Sequence, residues 1–146
     1  MAETLSKQSI IWTGRGMSML VVLALLTDAT VNLLTPEKIA GEVIATGFKI
    51  SQTSALGTII LSCALLYAIP GTSVLGAILV TGFLGGAICT HYRLGDVLSP
   101  PSVVCLVLGV LAWGGIYLRD ARLRVLLPLT MSELAEKKGC NRDLYP

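Results

Sequence analysis

Residues 53–90 decide the fold: TSALGTIILSCALLYAIPGTSVLGAILVTGFLGGAICT, a stretch without a single Asp, Glu, Lys or Arg. Pro70 and Gly71 divide it into two apolar runs, residues 53–69 and 72–90. Each run is close to the ~20 residues with which a helix crosses ~30 Å of hydrocarbon. Because Pro followed by Gly favours a tight turn, we predict a hairpin of two transmembrane helices.

The composition extends this prediction to the whole chain. Charged residues make up only 14% of the sequence, against roughly 25% in a soluble protein. So few polar side chains cannot cover a globule in water, so we predict a lipid bilayer as the surroundings. Two further apolar runs, residues 17–34 and 103–118, complete a predicted all-α, four-helix transmembrane bundle.

The segment between the first two spans predicts a short helix in the membrane interface. Pro36 suits the first position of a helix. Four apolar residues fall roughly on one helical face: Ile39, Val43, Ile44 and Phe48. The predicted organisation is an N-terminal flank (residues 1–16), the membrane domain (17–129) and a polar tail (130–146).

The start of the chain has an alternative interpretation. Lys7 and Arg15 before an apolar run are compatible with a signal peptide. However, Asp28 interrupts that run, and no small-x-small cleavage site follows it. We therefore expect the first run to be retained as a span.

The basic residues predict the orientation. Eight of the 11 Lys and Arg residues flank the two outer runs on their terminal sides, and three lie in the loops at the other end. Since cytoplasmic loops carry the excess of positive charge, we predict a multi-pass protein of the cytoplasmic membrane with both termini in the cytoplasm.

Several function classes are not favoured. The net charge of +2 is small and forms no basic face, so nucleic-acid binding is not predicted. The four cysteines form no C-x-x-C pair, and the chain has a single histidine. We therefore predict no metal site and no disulfide framework.

Asp28 is the clearest polar anomaly. It lies 13 residues after Arg15, or ~20 Å along a helix, where a charge costs roughly 2.5–3.5 kcal/mol. We expect it to face the bundle and to be paired, hydrogen-bonded or protonated. Asn32 continues the polar strip one turn later. Two interpretations stay open: a ligand or proton-relay site, and an inter-helix hydrogen bond that holds the bundle.

The end of the third run carries the other candidates. If its helix continues to Arg93, that residue shares a face with the glycines of the run, and His91 projects to another side. The two should then not share one partner. His91 is either a solvated cap or a functional group, and Asp96 follows in a turn.

The glycines of that run predict helix packing. Gly82, Gly85 and Gly86 lie on one face, and Gly82-x-x-x-Gly86 is the spacing that lets membrane helices approach closely. The same face offers a contact for a homo-oligomer.

Residues 65–96, LLYAIPGTSVLGAILVTGFLGGAICTHYRLGD, and residues 108–129, LGVLAWGGIYLRDARLRVLLPL, resemble the DoxX-like family. With Asp28, the resemblance covers residues 17–129. It implies a four-helix membrane bundle found mainly in bacteria. It also implies a link to relatives in quinone-linked sulfur oxidation and in membrane redox-stress complexes.

The sequence departs from the family pattern at three charged positions. Asn32 replaces a lysine, Ile60 replaces a glutamate, and Gly71 replaces an arginine after the turn proline. The resemblance therefore does not extend to this chain any activity that depends on that trio.

Three functions follow. The first is an accessory or scaffold subunit of a redox-linked membrane complex, with a protein partner and no chemistry of its own. The second is a quinone-handling oxidoreductase subunit in which Asp28 and His91 transfer protons. The third is a small-solute carrier. The candidate polar site is a set of five residues: Asp28, Asn32, His91, Arg93 and Asp96. No catalytic residue or resident cofactor is predicted, and quinone is the ligand that the resemblance keeps open.

Cys140, in the predicted cytoplasmic tail, tests the orientation. A membrane-impermeant thiol reagent should leave Cys140 unlabelled in intact cells and label it after permeabilisation. A variant in which the three other cysteines are alanine gives an unambiguous signal. Labelling of Cys140 in intact cells would reverse the predicted orientation.

Overall fold

The computed structural model describes residues 2–95 and 99–126. Four of its helices are long and apolar enough to cross a membrane: α1 (Ala2–Leu34), α3 (Thr53–Ala68), α4 (Ser73–Arg93) and α5 (Pro100–Arg119). Two short helices accompany them, α2 (Ala40–Ala45) between the first two spans and α6 (Ala121–Leu126) after the last. The predicted all-α four-helix bundle is confirmed.

The four long helices form a ring. α1 packs against α3 and α5, and α4 packs against the same two helices, so α1 and α4 lie diagonally. The core is built from residues three or four positions apart on each helix, the period of one helical face. They are Val21, Leu25 and Ala29 on α1; Ile60, Ala64 and Tyr67 on α3; Ala77, Val80 and Leu84 on α4; and Ala112 and Ile116 on α5.

The outer surface is also apolar. Large hydrophobic side chains such as Leu20, Leu65, Leu75 and Leu106 are more than half exposed. In water, such a surface would be strongly unfavourable. Hydrocarbon solvates it, and the helices satisfy their own backbone groups internally, which is why this bundle suits a membrane.

The N-terminal flank is part of the first long helix. α1 begins at Ala2, so residues before the first apolar run continue the helix. This extension packs on the end of α5: a Cβ built on Gly14 would lie 2.8 Å from both Gly115 O and Leu118 Cβ. A larger side chain at position 14 would force α1 and α5 apart, so glycine permits this close approach.

The segment between the first two spans is helical, as predicted. A 3-10 turn, Pro36–Ile39, leads into α2, and Pro36 occupies its first turn. The expected apolar face is only partly used. Val43 is buried, whereas Ile44 is 60% exposed, because α2 ends at Ala45 and turns only one side towards the bundle.

A buried tyrosine ties three spans together. The hydroxyl of Tyr67 donates to Ala112 O at 2.9 Å and lies 3.2 Å from Ser18 Oγ. Tyr67 is fully buried. Arg119 Nη2 donates to the Tyr67 carbonyl oxygen at 3.4 Å, and its guanidinium carbon lies 5.6 Å from the centre of the Tyr67 ring. These contacts fix the end of the bundle that contains the turn between α3 and α4.

The close approach of α4 to Tyr67 gives a stability prediction. A Cβ built on Gly76 would clash with the backbone of Tyr67, whereas one built on Gly82 of the same helix meets no atom within 4 Å. Gly76→Ala should therefore lower the free energy of unfolding by about 1–3 kcal/mol, the usual cost of overpacking. Gly82→Ala, the matched control, should be neutral or slightly stabilising. Thermal melts in detergent compare the two. Equal shifts of the melting temperature in Gly76→Ala and Gly82→Ala would show that α4 does not approach Tyr67 as described.

Candidate functional site

A cavity of about 480 Å³ opens at the end of the bundle away from Tyr67. Its walls come from the end of α1, residues 36–47 around α2 (the α2 segment), the start of α3, the end of α4 and the start of α5. Its lining residues are Asp28, Asn32, Ile39, Glu42, Val43, Ala45, Thr46, Leu56, Ile60, Phe83, His91, Leu94, Ser99, Pro100 and Pro101. Its volume suits a small molecule, since ligand pockets have volumes of ~300–1,000 Å³.

Asp28 lies in the wall of this cavity. Asn32 Nδ2 donates to Asp28 Oδ1 and to the Asp28 carbonyl oxygen, each at 3.0 Å. The carboxylate is therefore hydrogen-bonded, as predicted, but by its own helix. Among the described residues, no hydrogen bond joins it to another helix. Asp28 is also exposed, so it borders an open space rather than the packed interior.

His91 lies in the same cavity wall, brought there by the last turn of α4. It is half-buried, and it follows Phe83 by eight residues, about two turns of helix, on the cavity side. The structure thus brings together the two groups that the sequence proposed for proton transfer, a carboxyl and an imidazole. Both can donate or accept a hydrogen bond, depending on their protonation.

Arg93 has a different role. Its Nη2 donates to Thr46 O at 3.2 Å, at the end of α2. Gly47, with φ +83°, follows this contact, and a Cβ there would lie 3.2 Å from Arg93 Nη2. Arg93 therefore fastens the α2 segment, which forms one wall of the cavity, to the end of α4. Among the described residues, the side-chain hydrogen bond of Arg93 goes to Thr46 O and none is formed by His91; that the two share no partner stays a prediction. Asp96, the remaining candidate, lies outside the described residues.

The three glycines singled out for packing are not packed within the chain. A Cβ built on Gly82, Gly85 or Gly86 meets no atom of a neighbouring helix within 4 Å. The close approaches are at other glycines: Gly14, Gly57, Gly76, Gly114 and Gly115. A packing role for the Gly82–Gly86 face is left to a second copy of the chain, and that stays a prediction.

Sequence analysis missed several lining residues. Glu42 belongs to the polar side of the predicted interfacial helix, and Phe83 lies in a run apolar on all sides. Nothing in the surrounding sequence distinguishes Glu42 or Phe83 from its neighbours.

Of the cysteines, Cys63, Cys89 and Cys105 are free thiols, and Cys140 lies outside the described residues. No group of three His, Cys, Asp or Glu in the described ranges is placed to hold a metal ion.

The fold and the cavity define a multi-pass, all-α membrane protein with a mixed polar and apolar cavity at one end. The chain belongs to the DoxX-like family, whose model matches residues 16–115. That match includes all four spans, from α1 to most of α5. Comparisons with curated proteins and with solved structures found no match.

The family pattern and the cavity together make a prediction about Asn32 and Ile60. Both line the cavity, and a Cβ built on Gly57, one turn before Ile60, would lie 3.1 Å from Asn32 Cβ. Ile60→Glu alone should destabilise the bundle, because Ile60 is 1% exposed and an unpaired buried charge is costly. Asn32→Lys should be milder, since Asp28 lies one turn away.

The double variant should recover part of the loss from Ile60→Glu, by about 0.5–2 kcal/mol, the range for residues in contact. A thermal-melt double-mutant cycle in detergent measures this coupling. Strictly additive changes would mean that the lysine and glutamate of the family pattern do not pair across the first two spans.

Proposed function

We propose that this membrane protein binds an amphipathic small molecule in the cavity, as an accessory subunit of a redox-linked membrane complex. One observation carries the proposal: Asp28 and His91 share a single cavity whose other walls are largely apolar. A few polar groups set in an apolar pocket are the usual design of a small-molecule site, because the apolar walls give affinity and the polar groups give orientation.

The arrangement of the walls supports a two-ended ligand. Apolar side chains from α3, α4 and the start of α5 meet in the cavity, among them Leu56, Phe83 and Pro100. The polar groups of Asp28 and His91 lie in the same cavity. A ligand with an apolar body and one polar end would therefore bury the body without leaving its polar end unsatisfied.

A quinone-handling role is the second candidate, and the same pair of residues favours it. A quinol has O–H groups on an apolar ring, and a carboxylate and a neutral imidazole both accept such hydrogen bonds. Either group can then take a proton when the quinol is oxidised, provided that a partner protein accepts the electrons. The accessory role and this role thus use one site.

The location of the cavity follows from the proposed orientation. We place the protein in the cytoplasmic membrane with both termini in the cytoplasm, since most basic residues flank the termini. The cavity lies at the end where α1 and α4 finish and α3 and α5 begin. It therefore opens on the side away from the cytoplasm.

Filling the cavity tests the proposal. Leu56→Trp places a larger ring in the cavity wall, and Leu65→Trp, on the same helix but 54% exposed outside the cavity, is the matched control. Protein purified from its native membrane should carry a small molecule, detected by mass spectrometry of the extract. The control should retain it, and Leu56→Trp should lose most of it.

Partner and transport assays separate the alternatives. If the protein is an accessory subunit, a stable protein partner should co-purify with it. The partner should also co-purify with the Leu56→Trp and Leu65→Trp variants. Ligand uptake into liposomes by the protein alone would instead support a carrier. Identical extracts from wild type, Leu56→Trp and Leu65→Trp would show that the cavity is not the binding site.

A further inference from the structure

With His91 counted as neutral, the formal charges that the described residues place in the cavity wall are all negative. Asp28 and Glu42 line the cavity, and both are exposed to it or to its mouth. No Lys or Arg occurs among the lining residues that the structure describes. Arg93 lies outside the wall, and its guanidinium donates to Thr46 O. The two carboxylates are therefore not neutralised by a basic residue of the wall.

Asn32 is an independent indication of a hydrogen-bond donor in the cavity. It lines the cavity but is only 7% exposed. Its Nδ2 is used by Asp28, and its Oδ1 accepts no hydrogen bond from the described residues. Asn32 Oδ1 is thus an unused acceptor in the cavity wall beside Asp28, and it can accept a hydrogen bond from a donor group of a ligand.

Phe83 is a third feature with the same chemical preference. Its ring belongs to the cavity wall, on the helix that also carries His91. The face of an aromatic ring attracts cations within ~6 Å, and more strongly when the cation is removed from water. Ile60 and Leu56 complete an apolar surface next to it, against which an apolar body can pack.

We infer that the cavity selects an amphipathic cation, with an ammonium or guanidinium group as its polar end. Its N–H groups donate to the carboxylates of Asp28 and Glu42 and to Asn32 Oδ1, its positive charge lies near the Phe83 ring, and its apolar body packs against Leu56 and Ile60. This inference rests on the proposed ligand-binding function and specifies its ligand class. The cation gives Asp28 the partner of opposite charge that a carboxylate in a membrane span requires. An anion meets two like charges in the same place.

Three aromatic probes of one shape and different charge test the inference. They are 2-naphthylmethylammonium, 2-naphthylmethanol and 2-naphthoate. The full chain is placed in nanodiscs of zwitterionic lipid, and binding is measured by equilibrium dialysis as the excess over empty nanodiscs. The ammonium should bind up to roughly fivefold more tightly than the alcohol, the upper end of the range for one partly exposed charge pair. The naphthoate should bind most weakly, and added salt should reduce the difference.

Substitutions of the two carboxylates test whether the preference for the ammonium probe arises in the cavity. Asp28→Asn and Glu42→Gln should each weaken ammonium binding several-fold and leave the alcohol unchanged. Glu37→Gln, on the neighbouring 3-10 turn outside the cavity, and Asp120→Asn, beyond the end of α5, are charge-matched controls that should change neither. A thermal melt of each variant verifies that it is folded.

The outcomes separate this inference from the proposed function. Equal binding of ammonium and alcohol, with no effect of either carboxylate variant, would overturn the charge selection and leave the cavity as a site for neutral molecules. Preference for the naphthoate would also overturn it. Absence of excess binding by all three probes would overturn both proposals.

Discussion

The rest of the bundle depends on the hydrogen bonds of one buried group, the hydroxyl of Tyr67. In a membrane, helices gain little from hydrophobic association, because lipid is as apolar as the protein interior. Specific contacts must then hold the spans in place. Tyr67 supplies them for three spans through Ala112 O and Ser18, and Gly76 lets α4 lie directly against its backbone. Loss of any of these groups would leave a buried polar atom unsatisfied or a clash.

The packing around Tyr67 at one end of the bundle allows a cavity to form at the other end. The helices are fixed around Tyr67, and Ser18 lies ten residues before Asp28 on α1, or ~15 Å along a helix. At that distance the spans leave a cavity, which the α2 segment covers on one side. Arg93 fastens this cover through Thr46 O. Ser18 and Tyr67 thus hold the helices together at one end, and Asp28 and Asn32 line the cavity at the other.

Much of the architecture could be predicted from the sequence alone. The length of the apolar runs gives the four spans, because a helix must be long enough to cross the hydrocarbon. Pro70 and Gly71 give the hairpin, and Pro36 gives the start of the short helical segment, since proline and glycine act through local backbone chemistry. Asp28 and His91 could be singled out because a polar group in an apolar span is costly.

The tertiary structure decided which faces of the helices meet. In a soluble protein the apolar face of a helix identifies its buried side, but these spans are apolar on all sides, so the sequence pattern does not distinguish core from lipid. Glycine spacing favoured the Gly82–Gly86 face, yet the close approaches occur at Gly76 and Gly115. Likewise, Glu42 joins Asp28 in one cavity only because the tertiary structure places α2 in the same wall as the end of α1. Such contacts depend on three-dimensional complementarity between distant segments, which no local pattern contains.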